Sequence, residues 1–221
     1  MNTDANGSTG EPKAAPVGVV LAGGESRRMG RDKANLTTGG ETLPALAARR
    51  LARVCAEVAV ADGGRGLLPG LPSLPDGPAR GPAAGILGAA AAYPGRPLLV
   101  LACDLPRVPA ELLAELARGT GIDWAVPRWG GRVEPLCALY GPAALAALAS
   151  RAGRGLLGPH GLAEEPGLAV RWLEGEELAR FGDPAEVFLN LNTPADLERY
   201  ESRVSDGSPH RPQGQISRRS S

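Results

Sequence analysis

Val19-Val20-Leu21-Ala22-Gly23-Gly24-Glu25-Ser26-Arg27-Arg28-Met29-Gly30-Arg31-Asp32-Lys33 is the stretch that decides the fold. An apolar run from Val17 to Ala22 stops abruptly at Gly23-Gly24. A short continuous apolar run is the pattern of a strand buried on both faces. A strand that ends in a Gly-rich turn lets backbone N–H groups approach an anion closely. Arg27, Arg28, Arg31 and Lys33 follow within ten residues of that turn. Cations gathered there neutralise what the N–H groups hold, and polyphosphate is the natural guest. The competing reading is an ordinary solvated turn with scattered charges.

The loop is neither of the common phosphate-binding strings. A P-loop needs Gly, four residues, then Gly-Lys-Ser/Thr, and a dinucleotide fingerprint needs G-x-G-x-x-G. The arrangement Gly23-Gly24, Gly30, Lys33 is different. It resembles the loop of nucleotidyltransferases that build nucleotide-activated cofactors and sugars. Among these it is most similar to the molybdenum cofactor guanylyltransferase (MobA-type) family, whose pattern is L-A-G-G-x-S-x-R-M-G-x-D-K. Leu21, Ala22, Gly23, Gly24, Ser26, Arg28, Met29, Gly30, Asp32 and Lys33 meet every fixed position.

The remaining composition bounds the answer. The chain has 221 residues, enough for one α/β domain with a substantial core. Its 24 basic and 24 acidic residues balance, which argues against a nucleic-acid coat or a polybasic membrane anchor. No apolar stretch approaches the roughly 20 residues that span a bilayer. Cys55, Cys103 and Cys137 are scattered through apolar segments, without metal-type pairing. They read as reduced core thiols of a cytoplasmic protein. Residues 1–15 are expected to form a flexible leader and residues 205–221 a disordered tail, leaving 16–204 as the nucleotidyltransferase domain.

Within that domain strand-like and helix-like runs alternate. Strands are expected over Val17–Ala22, Val58–Ala61, Pro97–Cys103, Trp124–Pro127, Glu134–Tyr140 and Val187–Leu191. Helices are expected over Leu43–Ala56, Pro82–Tyr93, Pro109–Arg118 and Pro142–Arg151, with a last one capped near Thr193. The alternation predicts a three-layer, Rossmann-like α/β fold: a mostly parallel sheet with helices on both faces. Ligands in such folds bind beyond the carboxyl ends of strands. Gly23-Gly24, Asp62 and Asp104 each stand just past a predicted strand end.

Asp104 follows the most apolar run of the chain and precedes Leu105-Pro106. A carboxylate held rigidly there can seat a nucleotide-bound Mg²⁺, which takes few carboxylates and fills its shell with water and phosphate oxygens. An Asp that simply initiates the Leu-Pro turn is the alternative. Lys33 and Arg28 are the phosphate candidates, Lys as a point charge and Arg as a fork. Gly81-Pro82-Ala83-Ala84-Gly85 opens a helix whose free N–H groups could meet an anion or a base edge, or only make the turn. Asn190 and Asn192 alternate with apolar residues and, on a strand, would share one face; turn chemistry is the other reading.

The resemblance extends over about residues 16–200. It implies that Lys33, Arg28 and Asp104 are catalytic, with Asp104 the Mg²⁺ ligand. It further implies that Leu21, Ala22, Gly23, Gly24, Asp76, Gly81 and Gly85 contact the nucleotide, and that Asn190 and Asn192 lie toward the acceptor. Arg132 and Glu134, before Pro135-Leu136, match a family stretch near the acceptor, without an assigned role. The implied reaction joins GMP from MgGTP to the phosphate of molybdenum-bound molybdopterin and releases pyrophosphate. A molybdoenzyme or cofactor-delivery protein is the implied partner. Three alternatives stand beside it: a cytidylyltransferase acting on the same pterin, a sugar-phosphate or phosphoalcohol nucleotidyltransferase, and a non-catalytic nucleotide-binding carrier of pterin. Gly23-Gly24 and Asp32-Lys33 favour GTP over CTP, because cytidylyl relatives usually read L-A-A-G and lack the Asp before Lys.

Overall fold

A computed structural model describes residues 14–23, 37, 38, 40–118, 121–156, 158–191, 196 and 200. Three strands form its centre: β1 (Val17–Leu21), β4 (Val58–Ala61) and β6 (Leu98–Ala102), each buried along its whole length. Such strands read as unbroken apolar runs because both faces are covered. The minor strands β2 (Thr37–Thr38) and β3 (Glu41–Thr42) make a separate hairpin, and β5 (Ser73–Leu74) adds an edge beside β4. The second half contributes β7 (Trp124–Trp129), β8 (Arg132–Val133), β9 (Cys137–Tyr140) and β10 (Val170–Leu173). The order across the main sheet is β10-β7-β9-β6-β1-β4-β5, with β8 paired to β7.

Pairing is parallel from β5 through β4 and β1 to β6, and again between β7 and β10. Only β9 runs against its two neighbours in this order, and β8 against β7. The link from β7 to β9 is too short for the crossover that parallel neighbours require, so the chain turns back. The expected mostly parallel sheet is therefore present, with an antiparallel insertion.

Four helices cover the central strands: α1 (Leu43–Leu51), α2 (Pro82–Ala92), α3 (Ala110–Ala117) and α4 (Pro142–Gly153). Gly18 and Leu21 point to opposite faces of β1, three residues apart. A Cβ on Gly18 would stand 3.0 Å from Leu51 Cβ of α1. Gly85 of α2 would place its Cβ 3.1 Å from Leu21 Cδ2 and 3.3 Å from Ala61 Cβ. Helices α1 and α2 thus sit on opposite faces, α1 beside α3 and α2 beside α4. The result is the three-layer architecture expected from the sequence.

The strand expected over Val187–Leu191 is not there. Val187 ends a short helix, α6 (Pro184–Val187), and the following residues are irregular. Local chemistry overrides the apolar run: the Asp183 carboxylate accepts from Ala185 N–H at 3.1 Å and Pro184 supplies a helical φ at the first turn. Asn190 accordingly lies on irregular chain and not on a strand, and Asn192 lies outside the described residues. Asp196 and Tyr200 are helical. The strands β2, β3, β5, β8 and β10 and the short helix α5 (Gly175–Ala179) have no counterpart in the sequence reading. Cys55, Cys103 and Cys137 are buried thiols, and burial pushes Cys55 up to about 11 against the charge of Arg96. Among the described residues no helix is long and apolar enough to cross a membrane.

One contact fixes the loop that follows β5. A Cβ on Gly88 of α2 would stand 2.0 Å from Pro75 O, and one on Gly77 2.7 Å from Gly88 N. Gly77 N–H donates to Ala84 O at 2.8 Å. Two backbones meet here with no room for a side chain. Gly88→Ala should therefore destabilise the protein by about 2–3 kcal/mol. Gly153→Ala, at a helical position with nothing within 4 Å, should be neutral or slightly stabilising. Urea unfolding midpoints of both variants check this contrast.

Candidate active site

In-register pairing places three strand ends at one level. Leu21 stands opposite both Ala61 of β4 and Ala102 of β6. The ladder continues past the strands: Ala22 N–H donates to Ala61 O at 3.1 Å, and Cys103 N–H donates to Leu21 O at 3.1 Å. Gly23, Asp62 and Asp104 consequently leave the sheet along one edge. This edge lies where the chain, having gone from β1 to β4 and β5, returns to β6 on the other side of β1. Ligands of open α/β sheets bind at such switch points.

On the β4 side the loop is organised by Asp62. Its residue is only 1% exposed. Oδ1 accepts from Gly64 N–H at 3.1 Å, Arg65 N–H at 3.2 Å and Ser73 Oγ–H at 2.5 Å; Oδ2 accepts from Leu67 N–H at 2.8 Å. Burial alone would raise its pKa, but the hydrogen bonds from Ser73, Leu67, Arg65 and Gly64 together hold the carboxyl below its ordinary value. Arg65 then ties this loop to the Gly-rich turn. Its Nε donates to Asp62 O at 2.7 Å and its Nη2 donates to Ala22 O. Asp62 is thus a scaffold for the loop, with both oxygens already engaged.

Asp76 is brought to the same place. A Cβ on Gly23 would lie 3.9 Å from Asp76 Oδ1, and one on Gly63 3.6 Å from Asp76 Oδ2. The carboxylate therefore stands between the turns that follow β1 and β4, on an exposed residue. Gly81 opens α2 with φ 64° and ψ −152°, a conformation open only to glycine, and is exposed. Gly85 is buried against Leu21 and Ala61, so its place is close packing of α2 on the strands beneath Gly23. Leu21 and Ala22 are buried at the end of β1.

Asp104 marks the seam toward the other half. It is half-buried, and its backbone oxygen accepts from Leu191 N–H at 2.9 Å, which sets Asn190 beside it. Asn190 Oδ1 is buried and accepts no hydrogen bond from the described residues. Arg107, three residues after Asp104, pairs with Glu186 of α6 and lies over the Tyr200 ring, 5.2 Å from its centroid. These contacts hold the late segment against the Asp104 loop.

Beyond Asp104 lie residues whose contacts the sequence did not reveal. Trp129 Nε1 donates to Glu134 Oε1 at 2.9 Å, and the Trp129 ring stacks on Phe188 at 6.3 Å between centroids. Burial pushes the Glu134 carboxyl up, against the Trp129 hydrogen bond and the charge of Arg132. No group of three or more His, Cys, Asp or Glu side chains among the described residues could hold a metal by itself. Gly24, Arg27, Arg28, Arg31, Asp32, Lys33 and Asn192 lie outside the described residues. The structure thus sets Gly23 beside Asp76, and Asp104 beside Asn190, at one edge of the sheet; Gly81 opens α2 without a contact to either pair.

A family model for the MobA-like NTP transferase domain matches residues 18–164. A molybdenum cofactor guanylyltransferase from Cereibacter sphaeroides is 40% identical over 84% of this chain and 95% of its own length. A probable molybdenum cofactor guanylyltransferase from Pelotomaculum thermopropionicum is 37% identical over 82% and 89%. The chain belongs to the MobA-like NTP transferase family. Its fold agrees: a molybdopterin-guanine dinucleotide biosynthesis protein A from Archaeoglobus fulgidus superposes with TM-score 0.72 at 26% identity, covering 86% of this chain and 99% of that one. The family makes the chain a nucleotidyltransferase.

Asp62 provides a test of the scaffold. A lowered folded pKa means that the ionised carboxylate stabilises the fold above its ordinary value of 3.8, and that this contribution fades as pH falls through the folded value. Asp62→Asn places an amide NH₂ against a backbone donor and should cost about 2 kcal/mol at neutral pH. The difference from wild type should shrink as acid protonates Asp62, as read from denaturant midpoints at pH 7 and through the acid range.

Proposed function

We propose that the protein is a molybdenum cofactor guanylyltransferase, transferring GMP from MgGTP to the phosphate of molybdenum-bound molybdopterin. The observation that supports this reading is the common edge of Gly23, Asp76 and Asp104 in a chain whose relatives bear that name. The acceptor phosphate oxygen attacks the α-phosphorus of GTP, the bond from that phosphorus to the bridging β-phosphate oxygen breaks, and pyrophosphate leaves. Such transfer needs alignment and charge neutralisation more than covalent help. The acceptor phosphate is already anionic at neutral pH, so the protein need not remove a proton.

In this reading the N–H groups of Gly23 and Gly24, with Arg28 and Lys33, hold the triphosphate. Asp76 accepts from the N1–H and N2–H₂ edge of guanine, which cytosine and adenine do not offer. Gly81 lets the chain enter α2 without a side chain between helix and nucleotide. Asp104 and the amide oxygen of Asn190 are hard oxygen ligands of the kind Mg²⁺ takes, and the buried Asn190 Oδ1, which accepts no hydrogen bond from the described residues, fits that demand. Two protein oxygens suffice because phosphate oxygens and water complete the shell. The bound cation would neutralise charge developing on the reacting α-phosphate. Asn192 would lie on the acceptor side.

Pyrophosphate release by purified protein tests the reading, with MgGTP, MgCTP or MgATP, each with and without molybdopterin. Release that requires both GTP and molybdopterin is expected, and preference for CTP would reassign the base specificity. Asp104→Ala should lower turnover by about 10³-fold or more while leaving the circular dichroism spectrum intact. Turnover that survives this change would remove Asp104 from the metal site.

A further inference from the structure

The contacts beyond Asp104 close into a ring. Leu191 N–H donates to Asp104 O at 2.9 Å, and Phe188, three residues earlier, stacks on Trp129 with planes 16° apart. Trp129 holds Glu134 through its indole N–H. Glu134 O accepts from Cys137 N–H at 3.1 Å, and Leu136 O accepts from Ala102 N–H at 2.8 Å, two residues before Asp104. This ring borders the β9–β7 side of Asp104, away from Gly23 and Asp76. A two-substrate transferase has to seat its acceptor on the side that the nucleotide leaves open.

Glu134 is a poor residue for a purely structural place there. It is half-buried, its Oε1 takes one hydrogen bond from Trp129, and its Oε2 takes none from the described residues. A carboxylate has about four lone-pair sites, so most of its accepting capacity is unused. Burial also raises its pKa, the mark of a charge short of compensating donors. We propose that Glu134, oriented by the Trp129 indole, selects the acceptor by receiving paired N–H donors from the edge of its fused heterocycle. The inference rests on the guanylyltransferase reading. A pterin presents an amide-type N–H beside an exocyclic amino group, the same donor pair as guanine. The site then holds one carboxylate for each ring: Asp76 on the nucleotide side and Glu134 on the acceptor side, with Asp104 between them.

Glu134→Gln separates this role from a structural one. The amide keeps an oxygen for Trp129 but turns a donor toward the acceptor's donors. KM for molybdopterin should rise about tenfold or more, while KM for GTP stays within about twofold and the melting temperature is unchanged. An unchanged molybdopterin KM, or equal rises for both substrates, overturns the proposal. If the wild-type protein forms no GMP conjugate with molybdopterin, the guanylyltransferase reading fails, and direct titration decides the subsite. Neopterin added to wild type should quench tryptophan fluorescence saturably, and the quench should be lost in Glu134→Gln. Equal quenching in both proteins, or none in wild type, overturns the proposal independently of catalysis.

Discussion

The parallel pairing of β1 with β4 on one side and β6 on the other is the constraint on which the rest depends. Because Leu21 stands level with both Ala61 and Ala102, the three strands release their following residues at the same height. A slip of one residue would turn each strand's side chains to the opposite face. It would also move Asp104 by one strand residue relative to Gly23, about 3.3 Å, more than a hydrogen bond's length. The burial of all three strands on both faces penalises such a slip, since Gly18 must face Leu51 and Leu21 must face Gly85. The core thus sets the spacing of the site.

The second constraint is close approach of backbones. Asp76 stands on a loop that has only a two-residue strand, β5, behind it. Precision there comes from Gly77 and Gly88, which let the loop rest directly on α2, and from Gly85, which lets α2 rest directly on β1 and β4. Helix, loop and sheet form one stack with glycine at each contact. The Asp62 network closes the stack from the side, with Arg65 reaching back to Ala22. Residues with no chemical role thereby decide where the carboxylate of Asp76 is held.

How much of this was legible in the sequence differs by the range of the forces involved. The central strands announce themselves because complete burial demands unbroken apolar runs, and the helices over 82–92 and 142–153 begin at Gly-Pro pairs that mark their first turns. Asp104 was visible because it directly follows such a run. Strand β5 has two residues, and β10 is half-exposed along most of its length, so neither leaves a periodic trace. Val187–Leu191 has the apolar content of a strand, but the Asp183-Pro184 start signal just before it wins locally. Gly88 and Gly77 looked like any other glycines in a glycine-rich chain; their meeting is tertiary. The Asp62-Gly63-Gly64 string did carry its turn signal, since Asp side chains accept from N–H groups a few residues on, yet only the fold shows that both its oxygens are engaged.

The sheet on either side of Asp104 is built in two different ways. The switch in chain direction at β1 leaves the β4 side to loops that come from parallel crossovers, backed by α2. The β9 side is built differently, from an antiparallel insertion whose β7–β8 hairpin carries Trp129 toward Phe188. Parallel units supply turns rich in N–H groups, suited to phosphate. The antiparallel hairpin supplies long side chains on a short tether, suited to gripping a flat ring. Asp104 ends the strand between these two constructions, and its backbone takes the late segment as a further partner through Leu191. In the proposed transfer a group in that position would meet both substrates at once, which is the geometric requirement for joining them.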